Sequence, residues 1–331
     1  MWALEFRASS ADSSSVNRAV LISLAAALFL NTSALAEPVR VPGTGIRMDP
    51  PAGFSRADRF PGFQQTDQGA SIMVTEIEGP AAEVRRGMTR KSLASRGMTL
   101  IESRVVKVEG GEALLLHVSQ KAQGIDYGKW MLVGGSRERT IIVVGTFPSA
   151  ASDLSESIRR ALLTVSWTGK ASADLFESLT FRVDATPKMR LADRMGNMLL
   201  LTESGNLDSG DPNMAILVVG ASISETQIDD LEAFSKERVA KIDRLENVQN
   251  LRGAKVHVDD LTGYELTARG IDPKNQRSVG LYQLLLADGN SYYVAQGFVA
   301  SGRMEEVLPT FRRVMDSFHR VAETDRIKIT R

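Results

Sequence analysis

The sequence predicts an α+β fold made of two tandem copies of a mostly antiparallel β-sheet flanked by helices. Three observations carry this: an internal repeat, a run of strand-like segments within each unit, and an amphipathic helix closing each unit. A shift of 135 residues lays Ile46-Arg47-Met48-Asp49 over Phe181-Arg182-Val183-Asp184, and Ala57-Asp58-Arg59-Phe60 over Ala192-Asp193-Arg194-Met195. A shift of 152 then sets Gly111 on Gly263, Leu114 on Leu266, Gly128 on Gly280, Trp130 on Tyr282, Leu132 on Leu284 and Gly145 on Gly297. At 153, Leu154, Ile158, Leu162 and Val165 fall on Val307, Phe311, Met315 and Phe318. The difference of 17 residues marks extra length in the middle of the second unit, partly the polar loop 203–213 and partly a longer helix. A long period seen twice reads as a domain duplication rather than a solenoid, with a boundary in 169–174.

The elements follow in chain order. Asn17-Arg18 precedes the apolar run 19–30, broken only by Ser23, and Ala34-Leu35-Ala36 precedes Glu37-Pro38. A basic region, a short apolar segment and small residues at −3 and −1 predict a signal peptide over 1–36, with a true start nearer Val16. The run is shorter than the ~20 residues a spanning helix needs, so no transmembrane helix is expected after cleavage. Domains are then expected at 37–170 and 171–331, in a periplasmic or secreted protein. In the second copy, strands are predicted at 179–183, 198–201 and 215–219. A helix follows from Ser224, which stands three residues before Gln227 in a capping-box spacing. Ile228, Leu231, Phe234, Val239, Ile242 and Leu245 share one helical face. A meander is predicted at 256–258, 264–268, 280–286 and 292–298, with Asp288-Gly289 as a type I′ hairpin signal. The closing helices place Leu154, Ile158, Ala161, Leu162 and Val165, or Val307, Phe311, Val314, Met315 and Phe318, on one face.

The opening Asp49-Pro50-Pro51-Ala52-Gly53-Phe54, the glycine-punctuated aromatic strand Tyr127-Gly128-Lys129-Trp130 and the closing helix 154–167 together resemble the PsbP/DcrB-like superfamily. The resemblance lies in element order and spacing and covers most of the chain after residue 36 twice over. It implies a binding or assembly role without catalysis. The lipoprotein branch of that group carries a processing-site Cys that is absent here.

Composition narrows the chemistry. The chain has 331 residues, 40 Lys+Arg against 40 Asp+Glu, three His and no Cys. Disulfides, thiolate nucleophiles and Cys-ligated zinc are excluded. Charge neutrality argues against a nucleic-acid partner. His117, His257 and His319 lack metal-ligand spacing and read as structural or surface residues, and the loop 208–213 lacks the alternating ligands and closing Glu of a calcium site. No cofactor loop or nucleophile elbow occurs, so no catalytic, cofactor or metal residue is assigned. Gly110-Gly111 and Gly134-Gly135 read as turn glycines between strands. Trp130 and Tyr282, at one repeat position, read as core anchors. One of Tyr292 and Tyr293 is expected to point away from the buried face. The repeated Asp58-Arg59 and Asp193-Arg194 read as local ion pairs or turn contacts.

Charge placement gives the sharpest signal. Segment 81–107 holds seven basic and two acidic residues, whereas 225–246 holds four basic and seven acidic. Overall, 37–170 has 18 basic and 14 acidic residues, and 171–331 has 20 and 24. Arg85, Arg86, Arg90 and Lys91 are therefore the candidate contacts for an anionic surface or an envelope protein. The sequence reads as an exported, non-enzymatic binding module. A carrier of small molecules or lipid in the interdomain groove and a hydrolase without a recognisable motif are the alternatives.

Overall fold

The computed structural model describes residues 38–122, 124–167, 174–207, 211, 213–223, 225–242 and 245–321. The predicted signal peptide, the boundary segment 169–173, Ser224 and most of the 208–213 loop lie outside the described residues.

The first copy runs β1 (Val39–Arg40), β2 (Ile46–Met48), β3 (Ser55–Arg56), β4 (Gly62–Gln65), β5 (Ala70–Glu78), α1 (Ala81–Gly87), α2 (Arg90–Ala94), β6 (Met98–Val108), β7 (Gly111–Ala122), β8 (Ile125–Gly135), β9 (Arg139–Pro148), α3 (Leu154–Leu163) and β10 (Ser166–Trp167). The second runs β11 (Phe181–Arg182), β12 (Arg190–Met195), β13 (Met198–Thr202), β14 (Ile216–Ala221), α4 (Leu231–Ala240), β15 (Glu246–Val258), β16 (Leu261–Asp272), β17 (Arg277–Asp288), β18 (Ser291–Ala300), α5 (Met304–Met315) and β19 (His319–Arg320). Each copy builds a seven-stranded sheet, in the orders β3-β4-β5-β9-β8-β7-β6 and β12-β13-β14-β18-β17-β16-β15. Every pairing within them is antiparallel. β2 pairs with β10 as β11 pairs with β19, so the duplication extends to the small ribbons beside each sheet.

Each sheet is covered on both faces. In the first copy, Ile72, Val74, Trp130, Leu132 and Val143 pack with Ile158 and Leu162 of α3 on one face, while Leu116, Val118, Met131 and Val133 meet Leu93 of α2 on the other. Alternation along a strand therefore supplies two cores at once. The repeat keeps a hole as well as a side chain. Trp130 pairs with Gly145, where an added Cβ would lie 2.2 Å from Ile158 Cγ2. Tyr282 pairs with Gly297, where a Cβ would lie 2.6 Å from Phe311 Cε2. Trp130 and Tyr282 are buried, as expected of anchors. Trp130 Nε1 donates to Ser155 Oγ at 3.0 Å, and the Tyr282 ring stacks on Phe311.

Four expectations are corrected. Helix α4 begins at Leu231, because the Asp230 carboxylate accepts from the Ala233 N–H at 3.0 Å; Ile228 precedes the helix. Strand β15 starts at Glu246, ten residues earlier than predicted, and its largely exposed residues carry no alternation to mark it. Asp288 pairs with Ser291, which leaves Gly289-Asn290 as the turn; only Gly289 has positive φ (+56°), whereas a type I′ turn needs two such residues. Gly134-Gly135 end β8 rather than lying between strands, and a Cβ on Gly134 would sit 2.8 Å from Trp167 Cη2.

Candidate anion-facing surface and interdomain groove

The predicted basic segment folds as two short helices. The first ends at Gly87, and Thr89 starts the second through a capping box: its Oγ1 accepts from Ser92 N–H at 3.1 Å, and Ser92 Oγ accepts from Thr89 N–H at 3.0 Å. Val84, Met88 and Leu93 turn towards the sheet. Arg86, Arg90 and Lys91 are exposed and Arg85 is half-buried. Arg85 Nη1 donates to the Glu112 carbonyl at 3.3 Å, and Arg90 Nη1 to the Leu100 carbonyl at 3.0 Å. Arg86 stands 3.9 Å from Glu83. Lys91 has no ion pair among the described residues. In the second copy Lys236 of α4 is paired with Glu232 at 2.6 Å and Lys241 at its end with Glu237, while Arg238 lies over the Tyr292 ring at 5.8 Å. Positive excess on a helix layer thus belongs to the first copy.

Beside this layer runs β6, the edge of its sheet. Residues 101–105 are exposed in an unbroken run, with Ile101 at 56% and Val105 at 64%. No periodicity in the sequence singles out these two aliphatic residues.

An ionic seam with buried acids joins the copies. Arg40 donates through Nη1 and Nη2 to both oxygens of Glu177 at 2.6 Å. Arg139 lies 3.8 Å from Glu76 and 3.9 Å from Asp193. Arg194 donates to the carbonyls of Gly196 (2.7 Å), Leu175 (3.3 Å) and Glu177. Burial pulls its pKa down to about 10. Burial also raises the Glu76 carboxyl, against the opposing pull of the Gly45 N–H and Arg139. The repeated Asp-Arg pair was expected to act locally. Arg194 does hold its own turn through the Gly196 carbonyl, and the pair also touches the first copy: Asp193 lies 3.9 Å from Arg139, and Gly43 leaves the space that the Arg194 guanidinium fills.

The equivalent Asp58-Arg59 faces a groove between the copies. This open cavity of about 620 Å³ is lined by Asp58 and Arg59 from one side and by Asp288, Tyr292, Tyr293 and Arg320 from the other. Arg320 is pinned by Asp288 (3.1 Å) and, through its backbone N–H, by Asp259 (2.7 Å). Arg59 Nη1 is buried without a hydrogen-bond partner.

Tyr292 and Tyr293 are both buried, which corrects the expectation that one projects outward. Their side chains take opposite faces, Tyr292 meeting Phe234 of α4 and Tyr293 meeting Phe181 and Phe318. His117 stacks on Trp130 at 4.3 Å between ring centroids, and burial lowers its pKa against the pull of Glu102. His257 and His319 are exposed. Among the described residues, no three His, Asp or Glu side chains converge at metal-ligand spacing, and no helix is long and apolar enough to cross a membrane.

No family model and no curated protein matches the chain. Solved structures with partial likeness include LpqN of Mycobacterium tuberculosis, described as involved in cell envelope biogenesis, at 10% identity over 43% of this chain and 83% of that one, with a TM-score of 0.31. Cyanobacterial PsbP of Synechocystis sp. PCC 6803 shares 15% identity over 43% and 93%, with a TM-score of 0.27. The type VI secretion (T6SS) immunity protein TplEi of Pseudomonas aeruginosa shares 13% identity over 81% and 96%, with a TM-score of 0.28. Overlaps this weak assign neither family nor activity.

Proposed function

We propose that the chain is an exported, non-enzymatic binding or assembly module of two PsbP/DcrB-like domains, 37–170 and 171–331, which meets an anionic envelope component through Arg85, Arg86, Arg90 and Lys91. The observation that supports this reading is the contrast between layers. Lys236 of α4 and Lys241 at its end are matched by acids one turn away and Arg238 is drawn over the Tyr292 ring, while Arg86, Arg90 and Lys91 stand in solvent with one acid, Glu83, 3.9 Å from Arg86. Unmatched cations on one face attract polyanions over roughly a Debye length of 8–10 Å at moderate salt. Retention on a sulfated polysaccharide column tests it. Reversing all four to Glu should lower the eluting salt concentration, and Arg86→Glu with Lys91→Glu, which breaks no hydrogen bond of the fold, should lower it without changing the melting temperature. An unchanged elution position would overturn the assignment. Export rests on segment 1–36, and N-terminal sequencing of the secreted product should begin near Glu37.

The groove supports a second reading, a small-molecule carrier. Its volume of about 620 Å³ lies within the range of ligand sites, roughly 300–1,000 Å³. Native mass spectrometry of the purified protein should then show a co-purified ligand that is lost in Tyr292→Ala.

A further inference from the structure

We infer that the surface formed by α1, α2 and the edge strand β6 docks on a bilayer containing anionic phospholipid, with Ile101 and Val105 entering the headgroup region. This rests on the anion-facing reading above and names the source of the anion.

Three observations place the cations and the aliphatics on one surface. Arg90 reaches the Leu100 carbonyl, so its guanidinium lies beside Ile101. Arg85 reaches the Glu112 carbonyl, and Glu112 pairs with Lys107 of β6. The two arginines therefore bracket the segment that carries Ile101 and Val105. Those two belong to the few large aliphatic side chains that stand mostly in solvent among the described residues. Exposed aliphatics framed by unmatched cations are what an anionic lipid interface rewards: charge attracts the protein, and apolar area holds it.

An extended acidic peptide adding to β6 is the competing partner. The strand resists it, because its ladder slips at the bulge between Leu100 and Glu102 and Arg104 and Lys107 line its length. Bulges and charges are the devices that blunt an edge against further pairing. They leave docking on a lipid surface unhindered, since that needs no strand register. A second copy of the chain pairing β6 to β6 would bring two basic faces together.

The test is vesicle co-sedimentation. The full sequence is expressed, the product the cell yields is purified and its N-terminus read by mass spectrometry. Vesicles are phosphatidylcholine alone, or phosphatidylcholine with phosphatidylglycerol in equal amounts. The protein should bind the anionic vesicles, fail to bind the neutral ones and release as salt rises. Arg86→Glu with Lys91→Glu should weaken binding at least by the roughly fivefold expected per lost cation. Ile101→Ser with Val105→Ser should weaken it on the order of tenfold with all charges in place. Because the chain has no Cys, Val105→Cys gives a single labelling site. An environment-sensitive dye there should shift to the blue on anionic vesicles, while the same dye at Lys274→Cys in the second copy should not.

Each other outcome decides. Charge-dependent binding that ignores the Ser pair, with no dye shift, overturns docking by insertion and leaves the anion-facing reading standing. Absent vesicle binding with intact, charge-dependent retention on the polysaccharide column overturns the lipid and points to another polyanion. Capture of a synthetic acidic peptide that quenches amide exchange along β6 overturns it in favour of strand addition. Loss of both vesicle and column binding removes both readings.

Discussion

Arg59 and Arg194 occupy one repeat position, and their substitution should have opposite consequences. Arg194→Ala withdraws a buried guanidinium from the carbonyls of Gly196, Leu175 and Glu177 and opens a space against Gly43. A buried acceptor that loses a charged donor costs roughly 1.5–3 kcal/mol. Three acceptors are affected, and water admitted to the seam offsets part of the loss. Arg194 also adds to the positive field on the buried Glu76, so the net expectation is about 3–5 kcal/mol, as for other broken buried ionic contacts. Arg59→Ala removes a side chain whose Nη1 has no partner and should change stability by about 0.5 kcal/mol or less. Urea unfolding followed by far-ultraviolet circular dichroism reads both. A cost below about 1 kcal/mol, or equal costs at the two positions, would refute the assignment of Arg194 to the seam.

Further expectations concern the cores and the pH response. Gly145→Ala drives a methyl into Ile158 and should cost about 1–3 kcal/mol; the same substitution beside Ile158→Ala should cost far less, and strict additivity in calorimetry would exclude the contact. Gln283→Ala should cost about 2–4 kcal/mol in urea unfolding, because it abandons Ser235 in the interior and removes the acceptor of Gln296 Nε2. Burial raises the Glu76 pKa, so the native state binds that proton more tightly than the unfolded state does. The stability of the wild type relative to Glu76→Gln should therefore rise as pH falls from the raised native value to the ordinary 4.5. A difference that shrinks with acidification would contradict the sign. Glu203, lowered by its hydrogen bonds from Arg303, should behave in the opposite way, its contribution fading as pH drops from 4.5 through the depressed native value.

The sequence disclosed what repeats and what alternates. Trp130 over Gly145 and Tyr282 over Gly297 emerged from the constant shift of 152, and the structure gives that shift its reason in the helix residue each glycine admits. The four cations were visible as composition. Their state in the fold was not, since Lys236 and Lys241 meet acids at 2.6 Å or closer, whereas Arg86 meets only Glu83 at 3.9 Å and Arg90 and Lys91 have no ion pair among the described residues. Edge strand β15 was mostly missed because a strand with both faces in solvent has no hydrophobic period to display. The seam was hidden for a different reason. Glu76, Arg139 and Glu177 lie far apart in the chain, and only the recurrence of Asp-Arg hinted that Arg194 had a task. Tyr292 and Tyr293 misled because alternation assigns one face to water, whereas here a helix layer covers each face.

The seam also bears on how the groove works as a receptacle. Its two walls belong to separate copies bridged by Arg40 on Glu177 and Arg139 on Asp193, so its width is tied to these ionic contacts. Widening it would mean parting Arg40 from both oxygens of Glu177 and Arg139 from Asp193. On the carrier reading a guest would meet a preformed groove, and little reorganisation free energy would be spent on entry. Selectivity in such a receptacle comes from the shape it holds before the guest arrives.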